Sequence, residues 1–194
     1  MRGFRIVAGL LAASSSLLLA QKKEAAPSST AEVAQLQGVL AGSWAGTLEY
    51  RDFSEPATST KRVKLPTWLS IELTGPGLRF HYIYDDGPNK TVTETSLARI
   101  DSATARYSIM DPAGKVTESY AIAGLAQLRE GRGNLTLTGT GTEDDAAVEV
   151  RTTMRVGRNI LEITRETAVP GQPYTFRHAY TLVRATPPAV TPGK

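Results

Sequence analysis

The sequence predicts an all-β protein, an up-and-down antiparallel barrel of about ten strands with a short N-terminal helix. Apolar and polar residues alternate along most of the chain between Trp44 and Arg184, as they do in half-buried strands. Short runs rich in Gly, Pro, Asp and Asn, such as 75–77, 85–89 and 111–114, separate these segments and favour turns. Closing such a meander into a barrel removes its exposed edges. An open two-sheet sandwich is the alternative.

The N-terminal residues are predicted to lie outside the barrel. Basic residues within 1–5 precede an apolar or small-residue stretch over 6–20, which is typical of a signal peptide cleaved after Ala20. An uncleaved membrane anchor is the alternative interpretation of 1–20. Residues 21–30 (QKKEAAPSST) are polar and contain proline, so they are predicted to form a linker.

The barrel domain is predicted to span residues 31–184. Apolar residues at helical spacing predict a helix over 31–40 that closes one end of the barrel. Residues 185–194 (ATPPAVTPGK) are rich in proline and predict a disordered tail. The predicted strands are Trp44–Phe53, Lys61–Leu73, Leu78–Asp85, Thr91–Ile100, Ala105–Met110, Val116–Ala123, Asn134–Gly141, Ala146–Val156, Ile160–Val169 and Tyr174–Arg184.

Composition excludes several classes of function. The chain of 194 residues has no cysteine, which excludes disulfides, thiolate metal sites and cysteine nucleophiles. Its formal net charge is +3, and loss of Arg2 and Arg5 with the signal peptide leaves +1. Because the charges alternate and do not cluster, neither a nucleic acid nor a membrane surface is expected as partner. An exported domain without disulfides indicates a bacterial periplasmic or secreted protein.

The inward face of the predicted barrel mixes aromatic, aliphatic and polar side chains. In the last strand, Tyr174 and Phe176 are predicted to point inward with His178 and Tyr180. This mixture fits a cavity for a small ligand, and it fits a core filled by side chains equally well. The predicted ligand-binding residues are Phe80, Tyr82, Tyr84, Arg165, His178 and Tyr180.

Gly42-Ser43-Trp44 at the head of the first strand and Arg184 at the end of the last resemble the calycin superfamily of lipocalins, fatty-acid-binding proteins and nitrobindins. The resemblance covers about residues 32 to 184. In lipocalins, the tryptophan of the Gly-x-Trp motif packs under an arginine from the far end of the barrel. The resemblance therefore implies a structural cation–π contact between Trp44 and Arg184 at the barrel base, of roughly 0.5–2 kcal/mol.

Two branches of the superfamily can be compared residue by residue. Fatty-acid-binding proteins hold a carboxylate with an inward Arg-x-Tyr, but Arg177 and Tyr180 are three residues apart and face opposite sides, so this clamp is absent. Arg165 is the candidate to replace it. The late His178 and the opening Trp44-Ala45-Gly46 are similar to nitrobindins and imply haem bound at His178. The glycine-rich continuation of that family is missing, and no cofactor is otherwise expected.

No catalytic or metal-binding constellation is readable. His81 and His178, the two histidines of the chain, are predicted to lie on opposite faces, which excludes a metal pair between them. Phosphate-binding and nucleophile motifs are missing, so the sequence favours a non-enzymatic protein. Trp68 lies on the polar face of its strand, as a contact for a partner or as a packed exception.

The sequence therefore favours an exported barrel that binds a small apolar or amphipathic ligand inside. The first alternative is an envelope interaction protein with a filled core, and the second is nitrobindin-like binding of haem.

Overall fold

The computed structural model describes residues 30–56, 59–75, 77–143 and 145–186. The predicted signal peptide at 1–20 lies outside these residues. So do the predicted linker, except for Thr30, and the predicted tail beyond Thr186.

One helix and ten strands follow in order, with a short 3₁₀ helix at Leu125–Gln127 between the sixth and seventh strands. The helix is α1 (Thr30–Leu40). The strands are β1 (Gly42–Arg51), β2 (Arg62–Thr74), β3 (Gly77–Asp85), β4 (Thr91–Asp101), β5 (Arg106–Met110), β6 (Val116–Ala123), β7 (Gly133–Glu143), β8 (Ala146–Val156), β9 (Ile160–Ala168) and β10 (Thr175–Arg184).

The strands form one closed antiparallel barrel. Each strand pairs with the next along the chain, and β10 returns to pair with β1. In this register, Trp44 lies opposite Arg184 on one side and Leu69 on the other. The predicted fold class is confirmed, and the closure excludes the open sandwich because neither β1 nor β10 is left as an edge.

The helix closes one end of the barrel, which we call the base. Leu36 and Leu40 of α1 are buried there. The indole Nε1 of Trp44 donates a hydrogen bond of 2.9 Å to the carbonyl of Leu40. Arg184 lies over the Trp44 ring, with 3.8 Å between the guanidinium carbon and the ring centroid. The structure thus brings Trp44 and Arg184 together at the junction between α1 and the barrel.

The interior is filled near the base and hollow further up. The side chains nearest the helix are at most 2 % exposed and form what we call the base core: Leu69, Leu78, Leu135, Leu161 and Leu182. One inward step further along the strands, Phe80, Leu137, Ile163 and Tyr180 line a cavity instead. The two sequence-based alternatives, a filled core and a cavity, therefore each describe one half of the barrel.

A β-bulge in β10 corrects the predicted inward face of that strand. Phe176 lies opposite Glu166 and His178 lies opposite Arg165, so one extra residue, Arg177, separates them. The shift places Phe176 on the outer face, under the guanidinium of Arg62 at 4.6 Å. Tyr174 lies outside as well, 4.2 Å from the guanidinium carbon of Arg151. The prediction that Tyr174 and Phe176 point inward is wrong, whereas His178 and Tyr180 do point inward.

The hairpin of β5 and β6 is fully paired with the barrel on one side and only partly paired on the other. The ladder between β4 and β5 covers Leu97–Asp101, and the ladder between β6 and β7 covers only Ala121–Ala123. β5 is therefore paired with β4 along its whole length, whereas residues 116–120 of β6, next to the turn, are separated from β7. This separation gives the barrel wall an opening beside the cavity.

Candidate functional site

A cavity of about 430 Å³ occupies the barrel interior above the base core. This volume lies within the range of small-molecule sites. The structure brings five of the six predicted ligand-binding residues to its wall: Phe80, Tyr82, Arg165, His178 and Tyr180. Tyr84 lies just outside the lining, where its hydroxyl is 2.9 Å from that of Tyr180. Exposed Glu94, Thr95 and Pro112 complete the lining where the cavity opens beside the hairpin of β5 and β6.

One wall of the cavity is a ladder of aromatic rings on β3. Residues two apart share a face of a strand, so Phe80, Tyr82 and Tyr84 stack along β3 at centroid distances of 6.3 and 5.8 Å. Tyr180 of β10 approaches Tyr82 at 5.3 Å. Aromatic pairs at such distances stabilise each other beyond the area that they bury. The ladder therefore offers a rigid apolar surface to a ligand.

The polar centre of the cavity is an ion pair between Glu118 of β6 and Arg165 of β9, which we call the inner ion pair. Nη1 of Arg165 lies 3.0 Å from one carboxylate oxygen of Glu118, and Nη2 lies 3.3 Å from the other. The hydroxyl of Tyr120 donates to the same carboxylate. The two charged side chains are only 32% and 21% exposed. Because the pair is partly buried, the electrostatic attraction between its two charges is stronger than that of a pair in bulk water.

A glycine of β7 leaves room for this pair. β7 lies between β6 and β8, and its inward positions near the pair are Gly139 and Gly141. A Cβ on Gly139 would lie 2.8 Å from Cδ1 of Tyr120, and one on Gly141 would lie 3.8 Å from Nη2 of Arg165. Bare backbone at Gly139 therefore leaves room for the Tyr120 ring, whereas a Cβ on Gly141 would make only an ordinary contact with Arg165.

The inner ion pair holds both of its members in their charged forms. Burial opposes ionisation of Glu118, but hydrogen bonds from Arg165 and Tyr120 outweigh it and hold the pKa of the Glu118 carboxyl below its ordinary value. Burial also lowers the pKa of Arg165, yet the hydrogen bond to Glu118 leaves it raised overall. The charges of Arg165 and Glu118 cancel within the cavity.

His178 lies beside this pair as a neutral group. Burial, together with the positive charges of Arg165 and Arg177, lowers the pKa of His178 from 6.5 to about 4. Its ring makes an edge contact with Tyr180, with 5.5 Å between the centroids. At neutral pH the imidazole therefore offers one donor and one acceptor to the cavity.

Several cavity groups lack a protein partner. Within the described ranges, the side chains of Tyr82, Tyr107, Thr152 and His178 make no hydrogen bond to another residue. Tyr107 is only 9% exposed, and burial raises the pKa of the Tyr82 and Tyr107 hydroxyls above the ordinary value, so both remain donors. None of their polar atoms is completely enclosed, since the enclosed side-chain atoms without a partner in the described ranges are Nε of Arg51 and Nη1 of Arg177. Water or a ligand in the cavity can therefore reach all four groups and serve as their partner.

A second charged cluster lies near the open end of the barrel. Glu143 accepts a hydrogen bond of 2.8 Å from Thr167 and pairs with Arg177 at 3.1 Å and with Arg51 at 3.8 Å. Both guanidiniums also lie against the ring of Phe53. The alternation of residues does not predict this cluster, because it gives no sign of the β10 bulge that turns Arg177 towards Glu143.

Two residues of the polar centre, Glu118 and Tyr120, were not predicted from the sequence either. Glu118 and Tyr120 occur at alternate positions of β6, together with the buried Ile122, and this pattern could have marked them as inward. Tyr107 of β5 carries the same kind of signal. No feature of the sequence indicates that Glu118 reaches Arg165, because the contact depends on the separation between β6 and β7.

The haem that the nitrobindin resemblance implies at His178 stays a prediction. A ligating histidine ordinarily donates its other ring N–H to a carboxylate, a carbonyl or water, which orients the imidazole. In the described part of the chain, no residue accepts such a bond from His178, so water would have to accept it.

The outer face carries a groove of about 450 Å³ around Trp68, which His81 and Ile83 also line. Trp68 is 47 % exposed, so it is not a packed exception to the alternation. His81 lies on this face and His178 in the cavity, as predicted.

Over the described ranges, no group of three or more His, Cys, Asp or Glu residues is arranged to hold a metal ion. No described helix is long and apolar enough to cross a membrane.

Comparison with known proteins finds little that is similar. No family model matches the chain, and no curated protein matches it. Among solved structures, the crystal structure of Rv2717c from M. tuberculosis is similar at 14% identity, over 78% of this chain and 98% of that chain, with a TM-score of 0.46. A likeness at this level does not establish a family. Fold and site together define the chain as a closed ten-stranded antiparallel β-barrel with an interior cavity.

Proposed function

We propose that this chain is an exported, lipocalin-like barrel that binds a small amphipathic molecule in its interior. The observation that carries the proposal is the cavity of about 430 Å³, which has an aromatic ladder on one wall and unpartnered polar groups on the others. The calycin relationship, supported by Gly42-Ser43-Trp44 and Arg184, and export, supported by the pattern of residues 1–20, are parts of this proposal.

The size and lining of the cavity favour a ligand over a filled core. One water takes about 30 Å³ of liquid volume, so the space holds much more than a single bridging water. Apolar surface of a ligand would be buried against Phe80, Ile109, Leu137, Met154 and Ile163, at roughly 25 cal/mol per Å² removed from water. The polar groups would orient it, as in other small-molecule sites.

A fluorescent probe tests this proposal. N-phenyl-1-naphthylamine is neutral and apolar, and its emission rises when it enters an apolar site. We expect saturable binding by the wild-type barrel. Thr152 points into the cavity and Thr153 points to solvent on the same strand. Thr152→Phe should therefore abolish binding, whereas the matched control Thr153→Phe should retain it.

Equal binding by the two variants would contradict an interior site. If Thr152→Phe fails to fold, Ile163→Phe narrows the same cavity from β9 and serves in its place. Native mass spectrometry of the protein purified from its own cells then asks which small molecule it retains. Absence of any binding by a folded wild-type protein would overturn the proposed function.

A further inference from the structure

We infer that the cavity selects a ligand that is uncharged and carries hydrogen-bonding groups, and that it rejects carboxylates such as fatty acids. This inference rests on the proposed function and narrows the class of ligand. It depends on the inner ion pair and on the four unpartnered polar side chains that surround it.

The inner ion pair removes the group that a carboxylate would need. Arg165 is the one cation among the residues lining the cavity in the described part of the chain, and two of its nitrogens already contact the two oxygens of Glu118. A ligand carboxylate placed at Arg165 would also lie close to the Glu118 carboxylate. Since a charge taken out of water is costly unless it is paired, the carboxylate would lose more hydration than this site returns.

A positively charged ligand meets the same difficulty. Glu118 is compensated by Arg165 and by the hydroxyl of Tyr120, so it is not free to pair with an ammonium group. Two more carboxylates line the cavity. Glu94 lies at its exposed opening, where water screens it and weakens its attraction for a cation. The half-buried carboxylate of Asp111 already accepts hydrogen bonds from the backbone N–H groups of Ala113 and Lys115. Neither sign of charge finds an unpaired, buried partner among the described residues that line the cavity.

Neutral polar groups do find partners. Tyr82 and Tyr107 offer hydroxyls, Thr152 offers a hydroxyl on the opposite wall, and His178 offers a neutral imidazole. Together these side chains can donate to carbonyl-type acceptors and accept from N–H or O–H donors. A site built to hydrogen-bond a ligand discriminates against analogues that leave its polar groups unpaired. The ladder on β3 adds a preference for flat rings.

Three naphthalenes of matched shape test the inference by calorimetric titration: 2-naphthamide, 2-naphthoate and 2-naphthylmethylamine. We expect the amide to bind, and the carboxylate and the amine to bind at least about tenfold more weakly. A carboxylate or amine that binds the wild-type protein as tightly as the amide would overturn the inference. So would failure of all three compounds where N-phenyl-1-naphthylamine binds. If that probe also fails, the proposed function falls with it.

Charge variants give the test an independent readout. Glu118→Gln frees Arg165, so the ratio of naphthoate to naphthamide affinity should rise at least about tenfold. Arg165→Met leaves Glu118 unpaired and should shift the preference towards the amine. Glu162 lies on the same strand as Arg165 but forms an ion pair with Arg155 on the outer face. Glu162→Gln breaks that outer pair and should leave all affinity ratios unchanged. Unchanged affinity ratios in both inner variants would contradict the role of the inner ion pair. The two variants should shift the preference in opposite directions, so if one of them folds poorly, the other still tests the inference.

Discussion

Arg184 joins the last strand to the first helix through Trp44. Its guanidinium lies 3.8 Å from the centroid of the Trp44 ring and donates bonds of 2.6 Å to the carbonyls of Val39 and Ala41. Val39 lies in the last turn of α1 and Ala41 directly follows the helix, where backbone acceptors lack helical partners and a positive charge is favourable. One side chain thus caps the helix and covers the buried tryptophan.

Replacement of Arg184 should destabilise the barrel. We expect Arg184→Met to lower the free energy of unfolding by about 2 kcal/mol, because two charge-assisted hydrogen bonds and a cation–π contact are lost. Urea unfolding measures the change. Arg99→Met is the control, since Arg99 is exposed on β4 and its side chain makes no hydrogen bond to a described residue. Equal effects of the two substitutions would contradict the capping role of Arg184.

A methyl group on Gly139 should disturb the inner ion pair. Its Cβ would lie 2.8 Å from the Tyr120 ring and 3.0 Å from the carbonyl oxygen of Ser119, so the ring that supports Glu118 must move. Gly139→Ala should cost about 1–3 kcal/mol of stability and weaken binding of the probe. Gly75→Ala, which meets no atom within 4 Å, provides the control in the same urea and fluorescence measurements. A Gly139→Ala protein as stable as Gly75→Ala would show that the pair does not depend on bare backbone.

His178 should make the protein less stable in acid. Its pKa is about 4 in the folded state and 6.5 when unfolded, so between these values the unfolded chain binds the extra proton. Stability from this residue is therefore full above pH 6.5 and falls as the pH drops towards 4, by on the order of 2–3 kcal/mol. Urea unfolding across this window should show a shallower loss in His178→Gln than in wild type. Identical pH profiles would mean that the folded barrel accepts the charged imidazole.

The two tryptophans should report opposite environments. Trp44 is 1% exposed at the base, whereas Trp68 is 47% exposed on the outer face. We expect Trp68→Phe to remove the red-shifted, acrylamide-quenchable part of the emission and to change stability by less than about 0.5 kcal/mol. Trp44→Phe should leave the quenchable part in place. If Trp68 were strongly shielded from acrylamide in the purified protein, a molecule that stays bound through purification would have to cover the outer groove. The alternative of an interaction protein requires such a partner.

The alternation of residues was enough to predict most of the barrel and much of its cavity. Phe80 and Tyr82 share a face because they are two residues apart, and Arg165 follows the inward Leu161 and Ile163 by the same rule. Closure follows from turn chemistry between strands that would otherwise leave edges.

The rest depended on departures from that regularity. The bulge at Arg177 moves Phe176 and Tyr174 from the predicted inner face to the outer face, and the spacing of these residues does not indicate it. The contact between Glu118 and Arg165 exists because β6 leaves β7 after a short ladder, which is a property of the closed barrel. The extent to which side chains fill the barrel depends on how their volumes pack in three dimensions. The alternation of residues along the sequence carries no information about this packing.

The most direct test of the central claim is a methyl-detected NMR titration of the wild-type protein with 2-naphthamide. Met154 and Ile163 line the cavity, and Ile83 lies in the outer groove beside Trp68. Ring currents shift methyl groups close to a bound aromatic molecule, so the account predicts saturable shifts of Met154 and Ile163 with Ile83 unmoved. Shifts confined to Ile83, or no saturable shift at all, would contradict an interior ligand site.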